Sequence, residues 1–485
     1  MRLKAFLAVT LSLAAVGCAS SGLVGSGDTR SIAPGIAQQA AQQHEQVLAE
    51  FGGAESGRRA AYVSAVGGRI AAQSGVAPGG FRFTTLNSPV MNAFAVPGGY
   101  IYITRQMLGL MNSEAELASV LGHEAGHITA DHSAERQNRS LWTQLGAALL
   151  GAVSGSGDLA QIAAQGAQIW TLSYSRSQEL EADDLGVRTM SGAGYDPLQS
   201  PRMLASLGAW TDLETRFVGR DQDARAVPSW ARTHPLSSER VGRATDRARA
   251  TGRAGQGLVN RDQHLEALDG MIFDDDPAQG VIDGRDFRHP DLRLAFTVPQ
   301  GFGIQNGGRA VSIAGTSGQA QFSTGAYDGN LDAYIGRVFQ ALAGQQGQVQ
   351  VPQTRTTQVN GLRAATATAR MQAQQGMLDV TVFAYEFARD RAFHFVTVTP
   401  AGQGLGPFST MVQSLRRLTA QEAAAIRPRV IDIVTVGAGD SVDSLARRMA
   451  YDSYQVERFR ILNGLAAGDS LQRGQRVKLV VWGSR

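Results

Sequence analysis

The sequence is poor in cysteine, in lysine and in long apolar runs. Cys18 is the only cysteine among 485 residues, so no intramolecular disulfide can form and stability must come from buried cores. Lysine occurs only at Lys4 and Lys478, so nearly every cation is an arginine, interleaved with Asp and Glu rather than gathered into a block. With a formal net charge of +3, that spread offers no phosphate-binding surface, and nucleic acid is not expected as a partner. No apolar run reaches the roughly 20 residues that a membrane-spanning helix needs. No internal repeat is evident either. What remains, 43% hydrophobic and 18% charged residues over a length too great for one core, describes a multi-domain globular protein.

The N-terminus "MRLKAFLAVTLSLAAVGCASS" sets Arg2 and Lys4 before an apolar run from Ala5 to Val16 and small residues around Cys18. That order is an export signal. Its ending "AAVGC" resembles the lipobox of bacterial lipoproteins, which implies cleavage before Cys18 and a lipid on its thiol. Ala19, where an inner-membrane retention signal would carry Asp, implies the outer membrane facing the periplasm. Residues 1–18 are therefore expected to be the signal peptide, and the Gly/Ser-rich stretch 19–32 a flexible tether.

Two helical patterns follow, and in the second Val63, Val66 and Ile70 repeat along one face. "FRFTTL" and "NAFAVPGGYIYIT" then read as strands, with "PGG" at 97–99 supplying a hairpin turn. Ser113 and Glu116 form a capping box, so a helix is expected to begin there and to carry "SVLGHEAGHITADH". The apolar stretch Leu141 to Val153 is too short to span a bilayer, leaving a buried helix or a mobile cover over a cleft.

His123 and His127 stand four apart, one helical turn, so both imidazoles can reach one ion. Glu124 lies about 100° around the helix from His123, placed to address a metal-bound water rather than the metal. Zinc lowers the pKa of such a water, and a neighbouring carboxylate can take its proton and pass it to a leaving amine. HExxH arises by chance in roughly one chain in two hundred of this composition, so a third ligand is required. His132 falls one residue short of the position used when a third histidine follows HExxH, and it reads as a partly solvated helix-end histidine. In "SRSQELEADD", Glu179 and Asp183 share a helix face. Glu179 can be the third ligand while Asp183 orients a ligand histidine, and Glu181 points elsewhere.

"HEAGH" followed by "SR..ELEAD" resembles the zinc metallopeptidase family of HtpX and the CAAX prenyl proteases, of the gluzincin type. Without spanning helices it looks like the soluble periplasmic BepA-like branch, although that branch's helical repeats are missing. The resemblance implies one Zn2+ per chain held by His123, His127 and Glu179, with Glu124 as acid/base. It implies that Asn92, Ala93 and Phe94 open an edge strand along which a substrate chain can add. His234, in "THPLSSER", would steady the oxyanion or take the water's place in a latent form, whereas from sequence alone it reads as structural. Arg176 matches the family's Ser-Arg pair and is placed in the second shell, a structural salt bridge being the alternative.

The tail "TVGAGDSVDSLARRM...ERFRILNGL...GDSLQRGQRVKLV" resembles a LysM module, a strand-helix-helix-strand unit that binds peptidoglycan or serves only as a connector. The expected fold is multi-domain. Residues 33–260 would form a mainly α-helical zincin-type protease domain with a small β-sheet, 261–285 a linker, 286–420 an α+β accessory domain and 428–485 a LysM-like βααβ tail. The expected function is a zinc-dependent metalloendopeptidase for unfolded or misassembled envelope proteins, lipid-anchored in the periplasm. The competing classes are a chaperone-like assembly factor and a peptidoglycan-binding protein, each with a latent zinc site.

Overall fold

The computed structural model describes residues 23–24, 29–132, 174–217, 229–235, 237–308, 310–343, 352–373 and 376–484. Cys18 and the apolar stretch from Leu141 to Val153 lie outside them. Among the described residues no helix is long and apolar enough to cross a membrane.

The expected tether is in part folded. Strand β1 (Leu23–Val24) pairs antiparallel with β2 (Ser31–Ile32), Leu23 is buried in the main core, and Arg30 donates to the Thr129 carbonyl at 2.7 Å. An apolar Leu and a guanidinium with a carbonyl partner give this stretch contacts that its Gly/Ser content alone does not suggest.

Helix α1 (Pro34–Glu50) starts at a proline, whose missing N–H costs nothing in a first turn. Helix α2 (Arg58–Ala71) buries Val63, Val66 and Ile70 completely, the stripe its spacing predicts. Strand β3 (Arg82–Leu86) runs parallel to β5 (Tyr100–Thr104), while β4 (Ala93–Val96) pairs antiparallel with β5 and has no strand partner on its other edge among the described residues. The "PGG" turn joins β4 to β5. Gly99 there has φ +87°, and a Cβ on it would lie 1.8 Å from the Gly80 carbonyl oxygen, so only glycine fits.

After β5, Thr104 caps α3 (Arg105–Leu110), and Ser113 caps α4 (Glu114–Thr129) by accepting from the Glu116 amide. The Glu116 carboxylate accepts from the Asn112 amide at 2.6 Å, one residue earlier than a capping box uses. Helix α4 is buried from Glu114 to Ile128 and packs along α5 (Arg176–Gly192), itself opened by the Ser175/Gln178 capping box. Then come α6 (Gln199–Phe217), the one-turn α7 (Ser229–Thr233) and α8 (Ser238–Ala250).

The expected linker is structured rather than loose. Helix α9 (Arg261–Leu268) buries Leu265 and Leu268, and β6 (Ile272–Phe273) pairs with β18 (Arg429–Thr435) of the tail. Strands β7 (Val281–Asp283), β8 (Asp286–His289) and β9 (Leu294–Thr297) belong to a four-stranded sheet ordered β17-β9-β8-β7, where β17 is Arg416–Arg417. Beside it stands an antiparallel seven-stranded sheet ordered β10-β11-β12-β16-β15-β14-β13. Its strands are β10 (Gly303–Asn306), β11 (Val311–Gly315), β12 (Gly318–Ala326), β13 (Arg355–Val359), β14 (Leu362–Ala373), β15 (Gly376–Ala388) and β16 (Arg391–Pro400). Alternation along β15 serves two cores: Phe383, Tyr385 and Phe387 face a phenylalanine-rich one, and Val380, Val382 and Ala384 face α10 (Leu331–Ala343). Two short helices, α11 (Ser409–Ser414) and α12 (Ala420–Ala425), complete this α+β unit.

The tail runs β18 (Arg429–Thr435), α13 (Val442–Ala446), α14 (Gln455–Leu462) and β19 (Arg476–Trp482), with β18 antiparallel to β19. It does not stand apart. Ile431, Leu445, Phe459, Leu462 and Leu479 share one core with Met107, Leu110, Leu117 and Leu121. Lys478, fully buried, donates to the carbonyls of Gly109, Leu110 and Met111 at 2.8, 3.0 and 2.6 Å, closing the C-terminus of α3.

Candidate metal centre

The site is built where α4 and α5 touch, and small residues let them touch closely. A Cβ on Gly186 would lie 2.9 Å from the His123 amide nitrogen, and Gly122 and Gly126 meet Gly186 and Ala182 across the same contact. This approach brings the acidic helix up to the two histidines.

His123, His127, Glu179 and His234, all buried, present one donor atom each within 4.8 Å of one another. His123 Nε2 stands 3.0 Å from His127 Nε2 and 3.3 Å from His234 Nδ1. Glu179 Oε1 stands 2.9 Å from His234 Nδ1 and 3.4 Å from His127 Nε2. Donors bound at about 2.0 to 2.1 Å around a tetrahedral ion are about 3.3 Å apart, so these separations fit a zinc-sized cation. The tautomer fits too. His123 Nδ1 faces Asp183 Oδ1 at 2.9 Å, so its proton sits there and Nε2 keeps a lone pair for a metal.

Arg240 holds both carboxylates from behind. Its guanidinium makes a bidentate pair with Asp183, both contacts 2.7 Å, and reaches Glu179 Oε2 at 2.6 Å, leaving Oε1 for the donor cluster. Burial pushes the Glu179 carboxyl up to about 7 against the pull of His123 and Arg240. Burial opposes ionisation of Asp183 as well, yet the hydrogen bonds from Arg240 and His123 hold it well below the usual carboxylate range. Burial lowers His123, which keeps its imidazole neutral.

Glu124 is buried beside the cluster, its Oε1 3.6 Å from His234 Nε2. Two aromatic rings close the walls: Tyr174 stacks on His127 with centroids 3.5 Å apart, and Trp230 stacks on His234 at 4.1 Å. Asn92 is fully buried at the head of β4, and neither side-chain amide atom has a hydrogen-bond partner among the described residues. Ala93 and Phe94 follow it in the edge strand.

Two placements differ from expectation. His132 is buried rather than partly solvated, with its Nδ1 2.9 Å from His127 Nδ1 and its Nε2 3.4 Å from Glu181 Oε2, so it backs a donor histidine without joining the cluster. Arg176 does not reach the cluster: it is exposed and pairs with Glu239 at 2.6 Å, because the first turn of α5 faces solvent there. Tyr174 and Trp230 carried no motif of their own in the sequence, and Arg240, the last residue of "THPLSSER", was not singled out within it.

Residues 57–248 match the model of peptidase family M48. This chain carries an M48 metallopeptidase domain. It is similar to the beta-barrel assembly-enhancing protease of Yersinia pestis, with 32% identity over 196 residues, 39% of this chain and 38% of that protein. The beta-barrel assembly-enhancing protease of Escherichia coli is 30% identical over 196 residues, again 39% and 38%. The mitochondrial metalloendopeptidase OMA1 of Arabidopsis thaliana is 33% identical over 156 residues, 32% of this chain and 29% of that protein. The chain thus spans less than two fifths of the length of these three relatives. The M48 match ends at residue 248, before the seven-stranded sheet and the tail.

Proposed function

We propose that this chain is a zinc-dependent endopeptidase, with one zinc held by His123, His127 and Glu179. The observation that carries this is the four-donor cluster at tetrahedral spacing with the Glu124 carboxylate beside it. Zinc bound there supplies Lewis acidity that lowers the pKa of a bound water and polarises a carbonyl. Glu124 takes the proton as water adds to the scissile carbonyl and returns it to the leaving amine nitrogen. Asp183 fixes the His123 tautomer, and Arg240 keeps Asp183 charged while holding Glu179 Oε2 away from the donor cluster. The edge of β4 away from β5, unpaired among the described residues, orients an extended chain through backbone hydrogen bonds, and the Asn92 amide offers it a donor and an acceptor.

A second, latent state is favoured by the position of His234, whose Nδ1 lies inside the donor cluster. As a fourth ligand His234 would close the site to water, and withdrawn from it His234 would be placed to steady an oxyanion.

The substrates are unfolded or misassembled envelope proteins. That reading is supported by the similarity to beta-barrel assembly-enhancing proteases and by the export signal with its lipobox-like Cys18. Lipid on Cys18 would hold the chain to the outer membrane in the periplasm, and the LysM-like tail would meet peptidoglycan. Removal of metal with 1,10-phenanthroline is expected to stop cleavage of casein, and added zinc to restore it; cleavage that survives complete metal removal would sink the proposal.

A further inference from the structure

The helix that leads into His234 is a single turn, Ser229–Thr233, too short to be stable alone. Beside the contact of its Nδ1 with Glu179, the imidazole is packed against Trp230. The His234 amide donates to the Trp230 carbonyl at 2.7 Å, and the two rings stack at 4.1 Å with 19° between their planes. Trp230 is 2% exposed, yet its indole Nε1–H has no acceptor among the described residues. A buried donor without an acceptor carries a standing cost, which is recovered when the ring moves to water. Its own amide donates to the Met91 carbonyl at 3.2 Å, immediately before Asn92 and the edge strand β4.

We propose that Trp230 is a positioning residue that sets whether His234 fills the fourth donor position or leaves it open. This rests on the metal site proposed above. The indole face holds His234 against the cluster. A chain docking along β4 meets the Trp230–Met91 hydrogen bond first, and loosening it frees the ring, with His234 following. The unsatisfied Nε1–H makes the holding state shallow enough to be released.

The test loads the full chain with cobalt(II) and titrates it with acetohydroxamate, a small chelator that competes for the fourth position, following visible absorption. His234→Ala and Trp230→Ala are both expected to tighten acetohydroxamate binding by about twofold to tenfold, the range an aromatic stack contributes. Trp230→Phe, which keeps a stacking face, is expected to stay near the parent. If Trp230→Ala fails to hold cobalt, Trp230→Leu, which keeps apolar bulk without a ring, decides in its place. The proposal is overturned if the Ala or Leu variant binds like the parent while His234→Ala tightens, or if His234→Ala itself changes nothing. A parent that holds no cobalt would instead overturn the metal site, and this proposal with it; cobalt content separates the two failures.

Discussion

Arg240 is the side chain on which the buried charges of the site depend. Replacing it with Met would leave the Asp183 and Glu179 carboxylates uncompensated, and urea unfolding is expected to show a loss of about 3 to 5 kcal/mol. Asp183→Asn removes the anionic acceptor from His123 Nδ1 and is expected to weaken metal binding about 10- to 100-fold, measured by competition with a chelating dye. Glu179 and Asp183 could be singled out in the sequence because both stand on one helix face downstream of an HExxH, in a stretch that resembles the family's. Arg240, the last residue of "THPLSSER", was not legible as their partner because 57 residues separate it from Asp183, and no local spacing records a contact made through tertiary packing. His132 failed as an expectation for a related reason: helix-end position argued for solvent, whereas the neighbouring helix and Tyr174 cover it.

At the scale of elements, the close approach of α4 to α5 decides whether the donors meet. A methyl at Gly186 would push on the His123 amide, so Gly186→Ala is expected to lower metal affinity at least about tenfold while the chain stays folded, read as metal content after dialysis. Helix α9 carries a different signature. His264 is fully buried between Tyr62 and the Met111 carbonyl, and burial, with Lys478 nearby, lowers it to about 3. Unfolded, it would titrate at about 6.5, so between those values the unfolded chain binds a proton that the native chain does not. Stability from this residue is therefore complete above about pH 6.5 and falls toward pH 3, by up to about 1.4 kcal/mol per pH unit. Comparing urea midpoints at pH 7 and pH 5 should show that fall, and His264→Gln should flatten it. Helices α1, α2 and α4 and the β4–β5 hairpin were readable from period and turn residues. The parallel pairing of β3 with β5 was not, since the pattern of a short strand does not name its partner.

At the scale of the molecule, the tail and the M48 domain share one apolar core, with Lys478 buried between them. Deleting residues 428–485 is therefore expected to expose Met107, Leu110 and their neighbours and to abolish cooperative unfolding of the remainder, followed by circular dichroism. A sharp transition that survives the deletion would contradict that shared core. This sharing was not legible, since an apolar residue that faces a neighbouring unit looks the same in sequence as one that faces its own. The claim at the centre is that Glu124 acts on water beside a metal held by other side chains. Bound zinc and casein cleavage should be measured together for the full chain and for Glu124→Gln. One zinc per chain in both proteins, with cleavage only by the parent, is expected; equal cleavage by both, or zinc lost with Glu124, would contradict it.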